Sequence, residues 1–301
     1  MDDEKMYGVE TYDAESDNDG FNLKNSLNKK ANRLIKTFSG SEFKVHKKMI
    51  DNLITFTGLA GGVGTSTIVA NLASFAEKKD ISVVVVDTNI EYPIQYNYFG
   101  IRQQIKKNDL VNYLTGSSKL GDCIDYKGEV GLIFPNNRNL VDLVNCDGGD
   151  AAGNFSKMLS DLSDLFDLVL VDCSNRVEND IVNMALYKAD VIYAVFDENI
   201  SCLSNIERLR NNLQITGITT NKIKTVMNKR TNIHYSKSIL KGFDIEPVDI
   251  LPFDTAVIES GLRGEIFCNK GASNRETASQ FVGRMEVLMD KILENGGYRR
   301  G

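Results

Sequence analysis

The residues with the clearest chemical potential are Gly58-Leu59-Ala60-Gly61-Gly62-Val63-Gly64-Thr65-Ser66-Thr67. Gly61, Gly62 and Gly64 let the backbone wrap tightly, so that successive N–H groups, those of Val63 and Thr65 included, can converge on an anion. An apolar run, Leu53-Ile54-Thr55-Phe56-Thr57, precedes the loop, and Ile68-Val69-Ala70-Asn71-Leu72-Ala73 follows it with helical periodicity. Strand, glycine loop and helix in that order make a phosphate site, because loop amides and a helix N-terminus act on the same charge. The Ser66 hydroxyl then stands where it would ligate Mg2+, and Thr67 where it would contact an α-phosphate. No lysine lies in the loop: Ala60 and Thr65 occupy the positions where cationic side chains would add charge.

A second candidate is Phe166-Asp167-Leu168-Val169-Leu170-Val171-Asp172, an apolar strand ending in a carboxylate. This is the form of a Walker B segment, in which Asp172 would hold Mg2+ through its water shell. The run Ser82-Val83-Val84-Val85-Val86-Asp87 ends the same way. Three parallel strands would thus deliver their C-terminal ends to one crevice, the place where open α/β sheets bind ligands.

The elements around these residues have the pattern such a crevice requires. Apolar, β-branched runs fall at 52–57, 82–87, 130–134, 167–172, 191–196 and 223–227, with helical segments near 66–79, 151–165, 178–188, 201–213 and 234–242. Strands with little polar alternation are buried on both faces, so the fold class is α/β: a doubly wound, mostly parallel sheet with helices on both faces. A last helix near 274–295 places Phe281, Met285, Leu288 and Ile292 on one face, as a packing helix does.

The 301 residues, 42% hydrophobic and 25% charged, suit one large domain with an appendage or two small ones. A net charge of -6 argues against a chain that coats nucleic acid indiscriminately. Cys123, Cys146, Cys173, Cys202 and Cys268 are scattered, without metal-ligand spacing, and read as reduced, mostly buried thiols of a cytoplasmic protein. No stretch has the form of a signal peptide or a membrane span. Residues 1–20 are acidic and read as a disordered tail. Residues 21–50 form a basic arm in which Leu23, Leu27, Ala31, Leu34, Ile35 and Phe38 share a helical face. That helix, 23–38, reads either as packed on the main domain or as a peripheral hold on the inner face of a membrane, a cell pole or a partner groove. The main domain is placed at 51–296 and a flexible tail at 297–301.

Loop, carboxylate strands and spacing together resemble the MinD/ParA superfamily of deviant Walker A ATPases over about residues 51–295. Val226-Met227-Asn228-Lys229 matches the segment where that family places an adenine-contacting Asn, and Leu251-Pro252-Phe253-Asp254 the segment flanking the base. The resemblance implies ATP or ADP with Mg2+ as cofactor and a nucleotide-sandwich homodimer. It also implies that Ala60 replaces a lysine reaching across the dimer, and Thr65 a lysine acting in cis on the β- and γ-phosphates. Asp87-Thr88-Asn89 stands where the family has Asp-x-Asp, a motif that positions the attacking water, so its second carboxylate is an amide here. Such losses leave nucleotide binding weakened and hydrolysis poor, at most a weak ATPase, unless a cation such as Arg102 or a partner residue substitutes.

The loop Gly61-Gly62-Val63-Gly64-Thr65-Ser66-Thr67 is further similar to CpaE/TadZ-type proteins of Tad pilus assembly. That implies a localisation or assembly scaffold that recruits protein partners. Two other readings remain open: a ParA-type partition ATPase holding nonspecific DNA through Arg208, Arg210, Lys222, Lys224, Lys229 and Arg230, and a nucleotide-free interaction module.

Overall fold

A computed structural model describes residues 49–101, 108–136, 148–173, 175, 179–231, 237–269 and 276–298. The acidic tail, the helix expected at 23–38, Arg102 and Cys146 lie outside the described residues.

Eight strands form one sheet in the order β3-β4-β2-β5-β1-β6-β7-β8. They are β1 (Leu53–Gly58), β2 (Val83–Asp87), β3 (Asp125–Lys127), β4 (Val130–Ile133), β5 (Leu168–Cys173), β6 (Val191–Phe196), β7 (Ile223–Arg230) and β8 (Pro247–Pro252). All neighbours run parallel except β3 against β4. The central strands are the ones whose sequences lack polar alternation, and Val83 to Val86 and Leu168 to Val171 have no exposure at all.

The helices cover both faces. They are α1 (Thr65–Lys78), the short turns α2 (Gln95–Tyr98), α3 (Leu110–Leu114) and α4 (Leu120–Cys123), then α5 (Gly148–Leu165), α6 (Asp180–Lys188), α7 (Ile200–Ile215), α8 (Lys237–Gly242), α9 (Thr255–Leu262) and α10 (Glu276–Asn295). Helix α1 buries Ile68, Val69, Leu72, Ala73 and Ala76 against the sheet, while α10 buries Phe281, Met285, Leu288 and Ile292 as its periodicity predicts. Among the described residues no helix is long and apolar enough to cross a membrane.

Two strands escape the sequence pattern. Strand β8 carries Pro247, Asp249 and Pro252 and buries only Asp249 and Leu251, a composition that belongs to the edge of a sheet. Its Asp249 carboxylate is buried and meets Lys291 Nζ at 2.9 Å, which ties the edge to α10. Strand β3 is three residues long and mostly exposed, too short to show any period.

Candidate functional site

The sheet register brings the candidate carboxylates together. Strand β5 lies between β1 and β2, with Asp87 opposite Asp172 on one side and Phe56 opposite Asp172 on the other. The glycine loop therefore leaves β1 one residue pair beyond the Asp172 level and turns directly into α1.

The loop is held open by its own glycines. Gly62 and Gly64 have φ of 78° and 92°, a left-handed backbone that favours glycine. A Cβ on Gly61 or Gly62 would meet nothing within 4 Å, so both present bare backbone to open space. Gly64 is the opposite case: a Cβ there would lie 2.4 Å from Asn228 Nδ2. The Asn228 amide donates to the Val63 carbonyl at 2.8 Å, which fixes the end of β7 against the loop. Thr65 is buried, with Oγ1 2.9 Å from where a Gly58 Cβ would stand.

This loop forms one wall of a cavity of about 1010 Å³. The end of β8 and α9 also line it, with Pro252, Phe253, Val257, Ile258 and Leu262. Phe253 N donates to the Arg230 carbonyl at 2.9 Å, so the Asn228 and Pro252 segments share one rim. Its size, with apolar side chains and exposed loop amides both in the lining, suits a small phosphorylated ligand. Lys229 also lines the cavity, and its ammonium donates to the Gly62 carbonyl. The sequence reading missed it as a loop cation, although it directly follows Asn228.

At the inner end, Ser66 hydrogen-bonds Asp172 through its side chain. A hydroxyl and a carboxylate are hard oxygen donors that fit Mg2+, which takes few protein ligands when phosphates and water supply the rest. Asp172 is 3% exposed and, with Gln95, lies behind a wall that includes Ser66, Thr67 and Asn89. Gln95 Nε2 donates to Asp172 Oδ2 at 2.6 Å and to the Ser66 carbonyl at 3.1 Å. Asp87 faces the same group: Oδ2 accepts from the backbone N–H of Ile94 at 2.8 Å and of Gln95 at 3.0 Å, and Oδ1 from that of Asn89 at 3.0 Å. Burial pushes Asp172 up to about 7, with the Asp87 charge adding to it, and pushes Asp87 up to about 6 against the pull of its three backbone donors.

Thr67 Oγ1 and the Tyr98 hydroxyl lie 2.8 Å apart in the cavity wall. Burial raises the Tyr98 phenol, which keeps its proton available for donation. Asn89 lines the cavity too, and its Oδ1 accepts from Tyr92 N at 3.3 Å. Of the basic side chains considered for DNA, Arg210 bonds Glu207 and the carbonyls of Phe243 and Asp244, and Lys222 donates to the Ala189 carbonyl at 2.9 Å.

A family model described as an AAA domain matches residues 51–230, which spans β1, the glycine loop, Asp172 and Asn228. The chain belongs to this AAA-domain family. Its eight-stranded fold is that of the MinD and ParA structures. A septum site-determining MinD protein from Chlorella vulgaris is 21% identical over 269 residues, covering 84% of this chain and 92% of that protein. The structure of MinD from Pyrococcus horikoshii complexed with Mg-ADP superposes with a TM-score of 0.67 at 18% identity, covering 81% of this chain and 98% of that one. A ParA family ATPase from Chlorobium tepidum gives a TM-score of 0.66 at 19% identity, covering 79% and 98%. In this AAA-domain chain the match includes the loop at Gly58–Thr67, where Ala60 and Thr65 carry no charge.

Proposed function

We propose that the cavity binds an adenine nucleotide and that the protein works as a MinD/ParA-type binding switch or assembly scaffold with poor hydrolysis. The observation that carries this reading is an intact glycine cradle, open to a large cavity and backed by Ser66 and Asp172, in a loop that holds no lysine. The backbone of Gly61 to Thr65 and the start of α1 would hold the phosphates, and Thr67 with Tyr98 the α-phosphate side. Asn228, Pro252 and Phe253 would flank the base, and Ser66 with Asp172 would hold Mg2+. That ion, when bound, supplies charge neutralisation between phosphate oxygens.

Phosphoryl transfer needs positive charge and a positioned water at the reacting phosphate. Thr65 gives neither, Asn89 is neutral, and Asp87 spends its carboxylate on the backbone of residues 89–95. Lys229 sets its ammonium on the Gly62 carbonyl of the loop. From there it would support binding by long-range attraction.

The finer assignment, a localisation factor of the CpaE/TadZ type in Tad pilus assembly that acts as a homodimer and recruits protein partners, rests on the similarity of the loop sequence. The test is steady-state ATP hydrolysis by wild type and Thr65→Lys. Hydrolysis at the limit of detection in wild type, with a gain in the variant, supports a switch. Brisk hydrolysis that Thr65→Lys leaves unchanged refutes it. ATP-dependent, salt-sensitive retention of nonspecific DNA would instead favour a partition ATPase.

A further inference from the structure

We propose that the Gln95 side chain is a built-in occupant of the divalent-cation position, so that a metal ion reaches Asp172 only by displacing it. This deepens the nucleotide-site reading and rests on it only for the behaviour with nucleotide.

Gln95 is 1% exposed, and its side-chain amide donates both to the candidate metal carboxylate and to the backbone of the candidate metal-ligating serine. These bonds are 2.6 Å to Asp172 Oδ2 and 3.1 Å to the Ser66 carbonyl. An NH2 group with its two donors turned onto a carboxylate and a carbonyl provides the positive pole that a cation would provide there. The backbone holds it in place, because Gln95 N and Ile94 N both donate to Asp87 Oδ2, on the strand beside Asp172. Asp87 therefore serves to lock the start of α2 over the metal carboxylate. In consequence Asp172 is screened from the cavity that Ser66 and Thr67 line.

The fit is incomplete in one respect. Gln95 Oε1 is buried and has no hydrogen-bond partner among the described residues. Buried acceptors are normally satisfied, so the plug is held at a cost and is displaceable. A purely structural glutamine, there to satisfy Asp172, would leave metal affinity unchanged when removed. An occupant would not.

The metal alone discriminates between these roles. Mn2+ binding, read from the loss of the free-ion electron paramagnetic resonance signal, is measured on nucleotide-free wild type, Gln95→Ala, and Gln95→Ala with Asp172→Asn. The occupant role predicts Mn2+ affinity about tenfold higher in Gln95→Ala, roughly one charge-assisted hydrogen bond's worth of competition removed, and a return to the wild-type level in the double variant. Equal Mn2+ affinity in wild type and Gln95→Ala overturns the proposal. If the alanine variant does not fold, Gln95→Asn, one methylene too short to bridge Asp172 and Ser66, gives the same comparison.

ADP affinity with chelator and with Mg2+ supplies a second readout. Wild type is expected to change by less than about threefold, and Gln95→Ala by more than about tenfold. A strong Mg2+ dependence in wild type that the variant shares also counts against an occupant. Failure of every protein to bind ADP would remove the nucleotide reading, and the Mn2+ comparison would still decide the role of Gln95.

Discussion

The ammonium of Lys229 rests on the carbonyl of Gly62, so a loop with no lysine of its own has one brought to it from the end of β7. Lys229 holds a left-handed backbone, φ 54°, which is uncommon outside glycine, asparagine and aspartate. That geometry turns the side chain back across the loop while the neighbouring Asn228 amide holds Val63. Lys229 thus brings a positive charge to the cavity from a segment of sequence far from the loop, and Arg263 lines the same cavity.

Removing this charge has a defined consequence. Lys229→Met keeps the apolar stem and deletes the ammonium, and it should weaken ADP binding by about five- to tenfold, the effect of one partly exposed charge. Titration with a fluorescent ADP analogue checks it, and an unchanged affinity would mean that Lys229 only braces Gly62.

Gly64 is the loop position least able to accept a side chain. Its φ of 92° disfavours any L residue, and a Cβ would fall 2.4 Å from Asn228 Nδ2. Gly64→Ala should cost about 1–3 kcal/mol of stability, from strain and from the displaced Asn228 amide. Thermal or denaturant unfolding measures this directly, and pairing Gly64→Ala with Asn228→Ala should recover part of the loss.

The buried carboxylates set a pH dependence. Asp87 and Asp172 are raised from 3.8 to about 6 and about 7, so the folded state holds protons more tightly than the unfolded one. Their contribution to stability is fully present below the unfolded value and is lost as pH rises through 6 to 7. Nucleotide-free protein should therefore lose melting temperature from about pH 4 to about pH 7 through this pair, and Asp172→Asn should flatten that slope. A wild-type curve that rises over the same range would contradict the burial of the pair.

Cysteine accessibility is equally specific. Cys123, Cys173, Cys202 and Cys268 are buried free thiols, and burial pushes Cys173 and Cys268 up to about 12 and Cys202 to about 11. In the folded protein none of these four should react with a thiol reagent at neutral pH, and all should react once it unfolds. Mass spectrometry of the alkylated chain resolves them individually, apart from Cys146.

What the sequence made legible follows the physics of each signal. The glycine loop, the strand ending at Asp172 and the buried central strands are local patterns, and the fold places them in one crevice as their order requires. The contacts that give the site its character are not local. Gln95 meets Asp172 across 77 positions, Lys229 meets Gly62 across 167, and Tyr98 meets Thr67 across 31. No periodicity encodes such pairings, and a glutamine or tyrosine after a strand looks like any loop residue. Asp87 shows the same limit. Its place at a strand end is readable, but its role in holding residues 89–95 appears only with the backbone in place.

The proposed function stands or falls on whether this lysine-free cradle binds adenine nucleotide. Isothermal titration of MgADP and MgATP into wild type and Gly64→Val tests it most directly. Wild type should show saturable one-site binding, at about 1–100 μM, and the variant none. Absence of binding heat for both nucleotides in folded wild type, across several temperatures, would contradict it.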